Sequence, residues 1–156
     1  MGVGKTTVCQ LLKRELEASV FLDADALWDM HPFVVTEETK SMVMADIHFV
    51  LNGFLHCSAF KNIIFCWVMH EKSILDAVLS GLDMKDCAVD AISLTCTPQV
   101  LQQRLARDVE ARLRTPDVVA RSLARLPLYA TMPTRHIDTS GKSPQQVCME
   151  ILHSVR

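Results

Sequence analysis

Met1-Gly2-Val3-Gly4-Lys5-Thr6-Thr7 opens the chain, and the fold turns on how this stretch is read. Gly4-Lys5-Thr6 running straight into a helical pattern is the second half of a P-loop, whose backbone N–H groups and lysine cradle nucleotide phosphates. Gly2 and Gly4 leave out the Cβ atoms that would obstruct the turn and the approach of backbone to phosphate oxygens. Residues Gly2, Val3, Gly4, Lys5, Thr6 and Thr7 are therefore expected to hold the nucleotide, with Lys5 on the β- and γ-phosphates and the Thr6 hydroxyl on Mg²⁺. The competing reading is an ordinary turn with an unpaired lysine. What decides between them is the helix that phosphate binding requires: Val8, Leu11, Leu12 and Leu16 recur at helical spacing, with Lys13, Arg14, Glu15 and Glu17 mostly on the other face.

The bulk properties suit one domain with a single core, since 156 residues of 49% hydrophobic content can bury one. Sixteen Lys and Arg against eighteen Asp and Glu leave a net charge of −2, which argues against nucleic acid or an anionic membrane as partner. Any cationic site must be local. Six cysteines fall without a C-x-x-C pair, mostly in apolar runs, and read as buried reduced thiols. No secretory leader opens the chain and no apolar run approaches the roughly 20 residues that span a bilayer, so a cytoplasmic protein is expected, a monomer or weak homodimer.

Strand and helix then alternate. Val20-Phe21-Leu22 reads as a strand ended by Asp23-Ala24-Asp25, and ligands of open α/β sheets bind outside the carboxyl ends of strands. One of the two acids could instead be an N-cap; both could not, because a helix start has a single N-cap. Residues 27–35 read as irregular around Pro32. A helix follows from Thr36, with Val43, Ile47, Val50, Leu51 and Phe54 on one face. Ile63 to Val68 is an unbroken apolar run, expected to be a central parallel strand buried on both faces. Glu71 beyond it is a weak metal candidate, and a carboxylate at a helix N-terminus is its plainer role. Ile74, Leu75, Val78, Leu79 and Leu82 form the next helix face, ended at Gly81. Ala91–Thr95 is a strand, and Thr97-Pro98 an N-cap with proline at the first helical position. Arg135–Thr139 is the last strand, Gly141 turns the chain, and Ser143-Pro144 starts the final helix.

Between Arg104 and Arg125 the composition shifts, because six of the nine arginines (Arg104, Arg107, Arg112, Arg114, Arg121 and Arg125) fall there. Three acids, Asp108, Glu110 and Asp117, oppose them. An arginine-rich helical hairpin, a lid over about residues 107–122, suggests an anion clamp, since guanidinium groups bind phosphate in bidentate fashion. The alternative is a solvated helix pair laced with ion pairs.

Taken together, these motifs resemble the small P-loop kinases of the shikimate kinase and gluconate kinase group. The resemblance rests on Gly2–Thr7, Leu22-Asp23-Ala24-Asp25, the arginine-rich segment and Arg125-Leu126-Pro127-Leu128-Tyr129, in that order. Ile137 to Pro144 is similar to the last strand and adenine loop of shikimate kinases. The resemblance implies that Asp23 holds Mg²⁺ through water, and that Asp25 orients or deprotonates the acceptor hydroxyl. It implies that Arg125 binds the acceptor, that Arg104, Ser140 and Gly141 flank the base, and that Arg112 or Arg114 closes over the transferring phosphoryl. Trp67-Val68-Met69-His70 stands where shikimate kinases have a glycine-rich turn, which argues against shikimate as acceptor.

The sequence thus predicts a doubly wound α/β domain of three layers, a parallel sheet between helices, over residues 1–156. The expected activity is ATP- and Mg²⁺-dependent phosphoryl transfer to a hydroxyl of a small metabolite. A nucleoside or nucleotide kinase, and a catalytically inactive nucleotide-binding module, are the alternatives. In such a fold the strand before the phosphate loop lies mid-sheet, and losing it would cost several kcal/mol. The natural polypeptide is therefore expected to extend N-terminally by roughly six to ten residues, with the missing P-loop glycine two positions before Met1.

Overall fold

The computed structural model describes residues 1–85 and 87–155. Helix α1 spans Lys5–Glu15, followed by strand β1 (Ser19–Asp23), a 3₁₀ turn over Ala24–Trp28, helix α2 (Glu37–Leu55), strand β2 (Asn62–Cys66) and helix α3 (Lys72–Ser80). Strand β3 (Ile92–Thr95), helices α4 (Pro98–Glu110) and α5 (Asp117–Arg125), a 3₁₀ turn over Leu126–Thr131, strand β4 (Arg135–Asp138) and helix α6 (Pro144–Ser154) complete the order. This is an α/β fold of parallel strands flanked by helices, as the alternation predicts.

The described chain divides into two compact units. The first comprises Met1–Val8, His70–Lys72 and the chain from Val89 onward; the second, Cys9–Met69 and Ser73–Ala88. Among the described residues the strands form two parallel pairs: β1 with β2, Asp23 opposite Cys66, and β3 with β4, Thr95 opposite Asp138.

In the first unit, α4 turns Leu101 and Leu105 inward one helical turn apart, and both are buried with Val3, Cys96 and Val118. The Thr97 hydroxyl caps α4 at the Val100 N–H, with Pro98 at the start as the sequence indicates. Helix α6 starts on a capping box between Ser143 and Gln146 and buries Val147, Cys148, Ile151 and Leu152.

In the second unit, Val43, Ile47 and Leu51 form a buried stripe along α2, packed with Ala24 and Val78. A neighbouring face of α2 ties down α3. The His48 Nε2–H donates to the carbonyls of Ala77 (3.0 Å) and Val78 (3.1 Å), and Asn52 Nδ2 donates to the Gly81 carbonyl at 2.9 Å. Asn52 Oδ1 accepts from the Asp83 N–H (2.8 Å), and the His56 ring meets the Asp83 carboxylate at 3.1 Å. Last-turn carbonyls of α3, which have no intrahelical donor, thereby gain partners. A Cβ on Gly81 would lie 2.3 Å from the His48 ring, so glycine is required here by space.

Two sequence expectations need correction. Strand β2 stops at Cys66 rather than Val68, and among the described residues it pairs on one edge only, with β1. Trp67 and Met69 are apolar because they pack on the α2 and α3 core, which is why the run looks like a longer strand. Of the six cysteines, Cys66, Cys96 and Cys148 are buried as expected, but Cys57 and Cys87 are exposed, lying outside the helices and strands where an inward-facing side is fixed.

Candidate active site

The phosphate loop is built from two constraints. Gly2 (φ 76°) and Gly4 (φ 93°) both adopt the left-handed backbone that side chains disfavour. Between them Val3, 8% exposed, anchors the loop on Leu101 and Leu105, so tightly that a Cβ on Gly2 would meet Leu101 and Leu105 at 2.9 Å. Around Gly4 the space is open: a Cβ there would meet nothing within 4 Å. Helix α1 begins at Lys5, and its first backbone bond runs from Val8 N–H to Gly4 O at 3.0 Å. The amides of Lys5, Thr6 and Thr7 therefore precede the helical ladder and sit at the positive end of its dipole. An open, glycine-lined cradle at a helix N-terminus fits phosphate oxygens.

The arginine-rich hairpin divides by its partners. Arg114 Nε donates to Asp108 Oδ2 at 2.9 Å, and its Nη1 lies 3.2 Å from Met1 Sδ, tying the hairpin to the start of the phosphate loop. Arg121 pairs with Asp117 at 3.4 Å, and the Thr115 hydroxyl donates to the same acid, which holds the Asp117 carboxyl below its ordinary range. By contrast, Lys5, Arg104, Arg112 and Arg125 have no ion pair among the described residues. A cavity of about 610 Å³ is lined by Met1, Val109 and Val118 together with Arg112, Arg114 and Arg121.

Arg112 is held there by its backbone. It takes φ 55° directly after α4, and the Arg112 N–H donates to Val109 O while the Leu113 N–H donates to Asp108 O, both at 2.9 Å. These two bonds make a Schellman C-cap, in which the left-handed residue is usually glycine. An arginine at that position keeps a strained cap and gains a guanidinium on the cavity wall.

At the carboxyl ends of β3 and β4, Arg104 Nη1 donates to Thr139 Oγ1 (2.9 Å) and Nη2 to the Thr139 carbonyl (2.8 Å). The Ser140 Oγ accepts from the Thr97 N–H at 2.9 Å, and Gly141 turns with φ 68°. The Ser140 N–H donates to Asp138 Oδ1 at 2.9 Å and holds the Asp138 carboxyl below its ordinary range. Burial pushes the nearby Cys96 thiol up, so it stays protonated and inert.

The first unit thus brings together Gly2 to Thr7, Arg104, Arg112, Arg114, Arg125, Ser140 and Gly141. Asp23 and Asp25 lie in the second unit, at the carboxyl end of β1. Asp23 does act as an N-cap: its Oδ1 accepts from the Asp25 N–H at 3.1 Å, and Asp25 itself is exposed in the first turn. Sequence reading missed Thr139, which is 2% exposed, because a threonine ending a strand carries no signal of its own.

The AAA domain family matches residues 1–121. No curated protein sequence matches the chain. Among solved structures, the tunicamycin resistance protein of Deinococcus radiodurans is similar at 21% identity and a TM-score of 0.68, over 99% of this chain and 90% of that one. An unliganded sugar kinase from Janibacter sp. HTCC2649 (20% identity, TM-score 0.68) is similar over 97% of this chain and 87% of its own. A gluconokinase from Sinorhizobium meliloti 1021 (17% identity, TM-score 0.68) is similar over 98% and 85%. With the phosphate loop inside the matched residues and the fold shared over nearly the whole chain, the protein belongs to the AAA domain family and has the fold of the shikimate and gluconate kinase-like P-loop kinases.

Proposed function

We propose that the protein is an ATP- and Mg²⁺-dependent phosphotransferase that moves the γ-phosphoryl group to a hydroxyl of a small metabolite in the cytosol. The observation that carries this reading is the open, left-handed Gly4 cradle at the start of α1, in the same compact unit as Lys5, Arg104, Arg112 and Arg125, four cations with no ion pair among the described residues. Phosphoryl transfer asks a protein mainly for positioning and for positive charge around oxygens, and this unit offers both. Two of the similar structures carry the names sugar kinase and gluconokinase, which supports a small hydroxylated acceptor.

In this reading the amides from Gly2 to Thr7 and the Lys5 ammonium hold the phosphates. The Thr6 hydroxyl supplies an oxygen, which fits Mg²⁺ because that ion keeps several waters and takes only one or two protein ligands beside phosphate. Bound there, Mg²⁺ would neutralise charge on the β- and γ-phosphate oxygens. Asp25, exposed and uncommitted to the cap, accepts a hydrogen bond from the acceptor hydroxyl and orients or deprotonates it. Arg125 holds a polar or anionic group of the acceptor, and Arg112 and Arg114 meet the charge that develops on the transferring group.

The test is a pair of variants assayed for nucleotide binding and for transfer across a panel of metabolites. Lys5→Ala should abolish transfer and weaken ATP binding. Asp25→Ala should abolish transfer and leave ATP binding intact. Ordinary turnover in Lys5→Ala would remove the reading, and a native chain that binds nucleotide but phosphorylates nothing would favour the binding module instead.

A further inference from the structure

Helix α2 has two unlike sides. Val43, Ile47 and Leu51 are buried in the core of the second unit. Away from them Met42, Asp46, Phe49, Gly53 and the C-cap residue His56 follow one another at alternating intervals of four and three residues, the spacing of a seam between two helices. Phe49, in the middle of that seam, is 82% exposed, more than any other large apolar side chain among the described residues. Met42, one end of the seam, is exposed as well.

Gly53, one turn beyond Phe49, has no explanation within the chain. Its backbone is not left-handed, and a Cβ there would meet nothing within 4 Å, in contrast to Gly81. Glycine inside a helix is less stable than alanine, so the position carries a cost with no return in the single chain. A two-fold axis accounts for the exposed ring and the bare backbone together. In an antiparallel pair of α2 helices with Phe49 over the second copy's Gly53, each ring fills the notch beside the other. The same register sets Asp46, which has no ion pair among the described residues, opposite the second copy's His56. The charges select that orientation: Glu37, Glu38 and Asp46 against Lys40 make the first half of α2 acidic, whereas residues 47–56 hold no acid and end on an imidazole. Antiparallel pairing lays the acidic half on the acid-free half, and parallel pairing would lay acid on acid.

We infer that the exposed face of α2 is the docking surface for a second copy of this chain, an isologous antiparallel helix pair in which Phe49 of each copy packs into the notch at the other's Gly53. A helix of 19 residues is about 28 Å long, and a single seam of that length buries less than the roughly 1,200 Å² of a lasting complex, so the pair is weak and reversible.

Sedimentation velocity on the full chain, from micromolar to near-millimolar concentration, reads the association. The native chain should pass from the mass of one chain toward that of two as concentration rises. Phe49→Ser, which removes the ring, and Gly53→Leu, which fills the notch, should each raise the dissociation constant by about tenfold or more, the loss of a central aromatic anchor. Gly53→Ala should weaken the dimer less, yet raise the Tm of the dilute monomer by about 1–4 °C, since alanine favours the helix and meets no neighbour. Asp46→Asn should weaken an antiparallel pair, whereas it would strengthen a parallel one by removing the facing acids.

A native chain that stays monomeric at every concentration overturns the inference. So does one that instead sediments with phosphatidylcholine vesicles and loses them in Phe49→Ser, which would give the face to lipid. A dimer that survives Phe49→Ser and Gly53→Leu unchanged forms elsewhere on the molecule, with the same result. If Phe49→Ser or Gly53→Leu does not fold, Gly53→Ala decides: a raised Tm with weakened association upholds the helix pair, and a lowered Tm or unchanged association overturns it. Neither Phe49 nor Gly53 takes part in the proposed phosphoryl transfer, so every one of these outcomes leaves that reading where it stands.

Discussion

Replacing Arg112 by glycine should make the protein more stable and less active at once. The residue closes α4 at φ 55°, with its N–H on Val109 O and the Leu113 N–H on Asp108 O. A side chain in the left-handed region costs roughly 1–2 kcal/mol, which glycine does not incur. Glycine also frees the unfolded chain, which offsets about 0.4–1 kcal/mol of that relief. A net gain of about 0.5–1 kcal/mol remains, which for a chain of this length raises Tm by about 1–4 °C. Arg112→Ala separates the two roles, because it removes the guanidinium and keeps the left-handed Cβ. Both variants should lose about a hundredfold or more in kcat with nucleotide affinity little changed, since a closing arginine acts in the transition state. Arg114→Ala should lower kcat in the same sense. Differential scanning calorimetry and steady-state kinetics on the three proteins make the comparison. Should the glycine variant melt below the alanine variant, the strained cap is not there; should both turn over at the native rate, Arg112 is a solvated residue.

Gly81→Ala should destabilise the second unit by about 1–3 kcal/mol, because the new Cβ forces the His48 ring off the Ala77 and Val78 carbonyls. Adding His48→Ala should then cost less than the two single changes predict, and strict additivity in urea melts would refute the contact. Asp138 is held below its ordinary range by the Ser140 N–H, so its contribution to stability is full above the unfolded value of about 3.9 and is lost as pH falls through the folded one. The Tm difference between the native chain and Asp138→Asn should therefore narrow as pH falls from 6 to 3; a difference that stays constant would mean the charge plays no part.

Most elements could be read from the sequence because local chemistry and burial agree in them. Thr97-Pro98 and Ser143-Pro144 mark helix starts that the structure caps with those same hydroxyls. Val43, Ile47 and Leu51 keep helical spacing and are all buried. The end of β2 was not legible, since Trp67 and Met69 are apolar for tertiary packing rather than for a place in the ladder. The phosphate loop was readable because glycines are needed there for conformation and Lys5 for charge. Arg112 in a left-handed cap was not readable, because its position calls for glycine and the chain breaks its own local rule. The long-range partners of Arg104 and Arg114 lie 35 and 113 residues away in sequence, at Thr139 and Met1, and no local pattern encodes them.

The distribution of thiols gives the molecule an experimental handle. Cys57 and Cys87, the exposed pair, and the half-exposed Cys9 all belong to the second unit, whereas the first unit's Cys96 and Cys148 are buried. A maleimide dye under mild conditions would consequently attach to one unit only and leave the phosphate loop and arginine hairpin unlabelled. Fluorescence anisotropy of that dye, followed while nucleotide is titrated, would report changes within the second unit while the first stays unmodified, with no cysteine engineered in and only two to remove for a single label.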